Sequence, residues 1–335
     1  MASVMISYRA VLCFYAFFGV ILATWNTKDY LKREHTLVKP YSGSGMNIHL
    51  WDYVGTTMVT SNYIRLTPDR QSSQGAIWNS VPCMIKNWEL HVQFKVHGQG
   101  KNLFGDGFAI WYARDKLQLG PVFGSKDYFV GMAIIADTYS NHNGPHNHQH
   151  PYVSAMINNG SLHYDHDKDG THTELAGCTS TFRNQDHDTY LAIRYEGSLS
   201  KLKVSMDIDG KDGWKECFTV DGVRLPLGYY LGASAATGQL ADNHDIISMK
   251  FYELDVPDKP GDHNKQHTGL PEADFFASPR DHVDDAKGGF MSGSSWSGLK
   301  IFFVVILVLV GIVVCGIVGY VIFNKEDPTK RKRLY

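Results

Sequence analysis

Residues 88–96, WELHVQFKV, set Trp88, Leu90, Val92, Phe94 and Val96 on one side of an extended chain and Glu89, His91, Gln93 and Lys95 on the other. Successive side chains of a pleated strand point to opposite faces, so this segment is expected to be a strand with one buried and one wet face. Similar segments recur as GFAIWYARD (107–115), VGMAIIADTY (130–139), YVSAMI (152–157), TYLAIRYEG (189–197), KLKVSMDIDG (201–210), YYLGASAATG (229–238) and IISMKFYELDV (246–256). Each is bounded by Gly, Asp, Asn or Pro, which turn a chain, and helical periodicity is almost absent. Many short strands with turns between them predict an all-β sandwich over residues 33–256.

The two ends carry apolar runs of different length. Arg9 precedes AVLCFYAFFGVILA (10–23), too short to cross a bilayer, so residues 1–24 are expected to be a signal peptide cut near Ala23 or Thr24. IFFVVILVLVGIVVCGIVGYVIF (301–323) is uncharged and, at about 1.5 Å per residue, long enough for the roughly 30 Å hydrocarbon core. It is expected to be a transmembrane helix. Lys325, Lys330, Arg331, Lys332 and Arg333 follow it, which makes residues 324–335 a cytosolic tail and places the domain in the lumen. From 257 to 299, Pro, Gly, Ser, Asp and His replace the strand pattern and predict a luminal stalk. With 32 basic and 34 acidic residues, the chain has no basic surplus to suggest a nucleic-acid partner.

Cys13 lies in the signal segment and Cys315 in the span, leaving Cys83, Cys178 and Cys217 in an oxidising lumen. Cys178 to Cys217 is the expected bridge, because each cysteine borders a strand-like segment and closing that loop contributes about 4 kcal/mol in the chain-entropy model. Cys83 equally suits a buried small hydrophobe, and the residues alone leave the pairing open. Asn159-Gly160-Ser161 is the one N-x-S/T sequon, which makes Asn159 an expected glycosylation site.

YDHDKDG (164–170) spaces Asp165, Asp167, Asp169 and Gly170 as an EF-hand loop begins. Its twelfth position, where a bidentate glutamate belongs, is Ala176. SAMINNGSLHY (154–164) reads as strand, Asn-Gly turn and strand instead of an entering helix. An EF-hand is therefore excluded. A calcium site shared by two loops stays open, since a hard cation needs several oxygens whether or not they are contiguous. The best second loop is ADTYSN, with Asp137, the Tyr139 carbonyl and Asn141.

IADTYSN (135–141), FGDGFAIWYARD (104–115), GPVFGSKD (120–127), NNGSLHYDHDKDG (158–170), ELAGCTSTFRN (174–184), GVRLPLGYYLGASAATG (222–238) and DNHDIISMK (242–250) resemble the animal legume-type (L-type) lectins of the early secretory pathway. Within these, the vesicular integral-membrane mannose lectins are most similar. The resemblance implies a legume-lectin-like jelly-roll and calcium held by Asp137, the Tyr139 carbonyl, Asn141 and Asp169. It implies a mannose pocket of Ser72, Asp106, Asn141, His166, the Gly238 backbone, Gln239 and Leu240. A carboxylate can accept from two vicinal sugar hydroxyls while amide and backbone groups donate in return. The same resemblance implies high-mannose glycans of cargo glycoproteins as ligands, membranes of the endoplasmic reticulum, the intermediate compartment and the Golgi as the location, and cytosolic coat proteins as readers of Arg331, Lys332, Arg333, Leu334 and Tyr335.

Gln239 stands where this branch has an acidic residue, which removes a charged acceptor while keeping a backbone contact. The loop NHNGPHNHQH (142–150) is rich in histidine and reads as a solvated loop, a pH-sensitive element or a zinc ligand set without convincing spacing. Asp106 between two glycines also fits a turn aspartate, and His166 a surface histidine. Trp78, Trp88 and Trp111 fall on or beside apolar strand phases and are expected in the core. Two rival functions follow from the sandwich: a glycan hydrolase, which needs two carboxylates about 5–10 Å apart, and a structural membrane adaptor.

Overall fold

The computed structural model describes residues 30–41, 48–141, 148–211, 213–257 and 269–274. The expected signal peptide (1–24), the apolar run 301–323, the tail 324–335 and most of 257–299 lie outside the described residues. No helix among the described residues is long and apolar enough to cross a membrane.

Extended segments dominate. The strands are β1 (Tyr30–Leu31), β2 (Trp51–Gly55), β3 (Met58–Val59), β4 (Ile64–Thr67), β5 (Gln74–Asn79), β6 (Asn87–His97), β7 (Gly107–Ala113), β8 (Val130–Asp137) and β9 (Tyr152–Asn159). They continue as β10 (Ala176–Thr179), β11 (Thr189–Glu196), β12 (Lys201–Asp207), β13 (Lys215–Asp221), β14 (Val223–Arg224), β15 (Tyr230–Ala236), β16 (Asn243–Glu253) and β17 (Glu272–Ala273). All are antiparallel to their partners. One sheet runs β13-β12-β11-β6-β16-β4-β3, with β1 also on β16; the other runs β10-β9-β8-β7-β15-β5-β2. This is the expected all-β sandwich. The folded body reaches past the expected limits at both ends, because β1 pairs with β16 and β17 pairs with β14.

The inward side chains of both sheets form one core. Leu90, Val92 and Phe94 of β6 meet Phe108, Ile110 and Tyr112 of β7 and Ile134 of β8 there. Trp88 joins them, stacked on Phe251. A second apolar cluster covers the outer face of the seven-stranded sheet, where Trp78, Ala109, Trp111, Ile135 and Met156 lie under Val122, Phe123, Phe129 and Tyr164. The loop from 117 to 129 is therefore a third layer over that sheet. The Trp111 indole donates to Ser234 Oγ at 2.8 Å, and that hydroxyl donates to the Phe123 carbonyl at 2.6 Å, tying the covering loop to the strands.

A disulfide joins Cys178 of β10 to Cys217 of β13, with Cα atoms 5.4 Å apart, so it links an edge strand of each sheet. Cys83 is buried and free, and burial raises its thiol pKa to about 12. The hairpin expected at 154–164 forms only its first strand. Asn158 explains this: its amide donates to the Leu162 carbonyl and its side-chain oxygen accepts from the Gly160 and Leu162 N–H groups. Side-chain bonds thus satisfy the backbone that a returning strand would otherwise pair.

Candidate functional site

Strand register gathers one group of loops at one end of the seven-stranded sheet. Gly107 pairs with Asp137 and with Ala236, Asp137 pairs with Tyr152, and Ala236 pairs with Gln74. Just beyond these positions lie the loops holding Asp106, Tyr139 and Asn141, Gly238 to Leu240, Ser72, and His150.

Two buried carboxylates form the centre. Asp137 and Asp169 are each 7% exposed, and they lie with His150 such that one ligand atom from each falls within 4.8 Å of the others. The Tyr139 N–H donates to Asp137 at 2.9 Å, and the Asn141 N–H donates to Asp169 at 2.8 Å. Residues 137–141 therefore bridge the two acids. Burial pushes Asp137 well above the usual carboxylate range; the Tyr139 N–H opposes this, while the charges of Asp169 and Asp106 add to it. Burying two like charges side by side is costly unless a cation compensates them. Carboxylate, carbonyl and amide oxygens are the donors that a hard divalent cation prefers.

The three aspartates of YDHDKDG have different environments. Asp165 caps a 3₁₀ turn by accepting from the Asp167 N–H, Asp167 is exposed, and Asp169 closes the turn in left-handed conformation (φ 52°) with its carboxylate facing Asp137. The flanking β9 and β10 are strands, not the helices of an EF-hand.

Asp106 stands beside this pair. Its carbonyl accepts from the Thr138 N–H at 2.9 Å, its N–H donates to Ala236, and burial raises its carboxyl pKa to about 6. Two glycines permit the packing around it. A Cβ on Gly238 would sit 3.2 and 3.3 Å from the Asp106 carboxylate oxygens, and one on Gly105 would sit 3.1 Å from Tyr139 Cβ and 3.6 Å from Leu240 Cβ. The loop carrying Gly238 is anchored to the 70–73 turn: the Ser72 N–H donates to Gly238, Gln71 Nε2 to the Gln239 carbonyl, and Thr237 Oγ1 to Arg70. Ser72 and Gln239 are exposed at this rim.

His166 is half-buried, with its ring 5.4 Å from Phe123 and 4.7 Å from Tyr164. Its Nε2 lies 2.9 Å from the Pro121 carbonyl, which can only accept, so Nε2 carries the proton. Burial lowers its pKa and favours the neutral ring, leaving Nδ1 as an acceptor.

The histidine-rich loop does not behave as a solvated loop where it is described. His148 is 6% exposed, stacks on Tyr152 at 4.0 Å and lies 3.3 Å from Glu174; residues 142–147 lie outside the described residues. His150 Nδ1 faces the His148 carbonyl at 2.9 Å and its Nε2 faces Asp137 at 3.8 Å. Sequence reading named His150 only with the other histidines of that loop, as part of a zinc ligand set, and missed its place beside Asp137. The signal was its position two residues before Tyr152, the partner of Asp137. Arg183 was also missed: it forks onto buried Asp242 at 2.7 and 2.8 Å and covers the Phe104 ring at 3.8 Å, fixing the chain beyond Leu240. Asn159 is exposed, and its side-chain oxygen accepts from the Ser161 hydroxyl at 2.6 Å.

The family described as legume-like lectin matches residues 28–260. The vesicular integral-membrane protein VIP36 of Homo sapiens is 54% identical over 315 residues, which cover 93% of this chain and 87% of that protein. The VIP36-like protein of Mus musculus is 50% identical over 311 residues, covering 92% and 86%. A crystal structure of the VIP36 exoplasmic/lumenal domain in its Ca2+/Man3GlcNAc-bound form superposes with a TM-score of 0.69 at 57% identity, covering 73% of this chain and 99% of that one. The chain belongs to the legume-like lectin family.

Proposed function

We propose that this protein is a calcium-dependent lectin that binds high-mannose N-glycans on luminal glycoproteins and takes part in their sorting, transport or quality control between endoplasmic reticulum and Golgi. The observation that carries the reading is the buried Asp137 and Asp169 pair set against Asp106, with a family relative solved in a calcium- and mannose-containing form. Asp137, the Tyr139 carbonyl, the Asn141 side chain and Asp169 would hold calcium. Bound there, calcium supplies charge compensation for the paired carboxylates and fixes the loop between them.

The sugar is then read by residues of this chain. Asp106, ionised, accepts from two vicinal hydroxyls, and backbone groups of Gly238, Gln239 and Leu240 complete its wall. Asn141, Ser72 and the free Nδ1 of His166 offer the remaining polar contacts. No bond is made or broken. Gly238 keeps the carboxylate reachable, since a methyl group there would crowd both oxygens.

We extend the reading to the whole chain. The domain is a legume-lectin-like jelly-roll on a stalk (257–299), anchored by one helix at 301–323 as a type I membrane protein, and made with a cleaved signal peptide. Arg331, Lys332, Arg333, Leu334 and Tyr335 face cytosolic coat proteins, and Asn159 carries a glycan. The relative's name, vesicular integral-membrane protein, supports the membrane placement. A glycan array of the full chain tests the function. Mannose binding that disappears with chelator supports it, whereas released sugar would mark a hydrolase and no binding at all a structural adaptor.

A further inference from the structure

The eight-stranded sheet carries a second recess on its outward face. It encloses about 190 Å³ and is formed chiefly by His91, Tyr190, Asp207, Trp214, Lys250 and Tyr252. Register places them together: His91 of β6 pairs with Lys250 of β16, Tyr190 of β11 pairs with Asp207 of β12, and Tyr252 follows Lys250 by two along the same face. Trp214, just before β13, has its ring 5.1 Å from His91 and 6.3 Å from Tyr190; Tyr252 lies 5.1 Å from His91 on the other side. The three ring pairs are inclined by 45°, 67° and 59°, so the rings wall a hollow instead of closing into a stack.

The floor is equally unlike ordinary sheet surface. Asp207 is only 5% exposed, and beside the recess Glu89, two residues before His91 on the same face of β6, is fully buried against that imidazole and Arg194. A volume below the roughly 300–1,000 Å³ of sites for drug-sized ligands admits one ring and not a chain. The lining carries a carboxylate and an ammonium together. A ligand of either charge would gain one partner and be repelled by the other, whereas a neutral polyol donates to Asp207 and accepts from Lys250. The C–H face of a sugar ring also suits the electron-rich face of an indole or phenol ring.

We propose that this recess is a second saccharide site, taking one neutral pyranose ring. It shares no residue with the Asp106 site, needs no calcium, and does not rest on the function proposed above. The test is saturation-transfer NMR on the detergent-solubilised full chain carrying Asp106→Ala, in chelator, so that the other site is silent. The probes are methyl α-glucopyranoside, methyl β-galactopyranoside and methyl N-acetyl-β-glucosaminide, with glucuronate, glucosamine and leucine as charged or zwitterionic counterparts. The expected result is saturable binding of at least one neutral pyranoside, weakened at least tenfold by Trp214→Ala and by Asp207→Asn. Lys250→Ala, at an exposed position, weakens it severalfold and decides the matter should either other variant fold poorly. Binding of none of the neutral pyranosides, preference for a charged or zwitterionic probe, or equal binding by the parent and Lys250→Ala would overturn the proposal.

Discussion

The two sheets differ in what covers their outer faces. β7, β8 and most of β9 and β15 are buried on both sides, whereas β6 and β12 of the eight-stranded sheet keep partly exposed residues on one side. The cause is the loop 117–129, which lays Val122, Phe123 and Phe129 over Trp78 and Trp111. The Asp137–Asp169 pair and Asp106 lie at or just beyond the ends of these doubly covered strands. Side chains locked by packing give a binding site its geometry before the ligand arrives. Among the described residues the other sheet has no such layer, and its outward face carries surface charge and the recess at His91.

Trp111→Ala should separate the two sheets most strongly. It removes a fully buried ring and its bond to Ser234, and is expected to cost about 3–5 kcal/mol in denaturant unfolding. Mannose affinity should fall with it, because Ser234 holds the Phe123 carbonyl and the Phe123 ring supports His166. The double change Cys178→Ser and Cys217→Ser cuts the bond between edge strands of the two sheets. A bridge closing a 39-residue separation contributes about 4 kcal/mol in the chain-entropy model, so the midpoint of unfolding should drop while calcium-dependent binding survives.

A smaller effect comes from pH. Burial raises Asp106 to about 6, so its carboxyl protonates as pH falls through that value and can no longer accept from two hydroxyls. Affinity for mannose should be level above about pH 7 and decline toward tenfold per unit, about 1.4 kcal/mol, below 6. Binding titrations across pH check this, and Asp106→Asn should be weak and flat throughout. The smallest effect is expected on the uncovered face. Lys203→Ala removes an exposed pair with Glu216 at 2.6 Å and should change stability by no more than about 0.5 kcal/mol.

The strands were legible where residues alternate or run apolar between turn residues: every segment read as a strand around residues 88, 107, 130, 152, 189, 201, 229 and 246 forms one. Gln74–Asn79 and Lys215–Asp221 were not read, since QGAIWN has little alternation and KECFTVD mixes both faces with charge. Spacing within YDHDKDG misled, because three evenly placed aspartates serve as cap, exposed residue and buried acid. Resemblance named Asp106, Asp137 and Asp169 together; period and composition could not, since their proximity depends on which strands pair. The same dependence hid the nearness of His150 to Asp137, which comes through the pairing of β8 with β9. The recess at His91 was hidden by Trp214, which joins the face from outside any strand pattern.

Under the proposed function, the paired buried carboxylates at the end of the covered sheet make sugar binding depend on calcium. Calorimetric titration of the full chain with a mannose trisaccharide, comparing the parent protein and Asp137→Ala in calcium and in chelator, tests it directly. Binding is expected from the parent in calcium alone, and from Asp137→Ala in neither condition, with the variant still folded by circular dichroism. Parent-like affinity in Asp137→Ala, or binding by the parent that ignores the chelator, would contradict it.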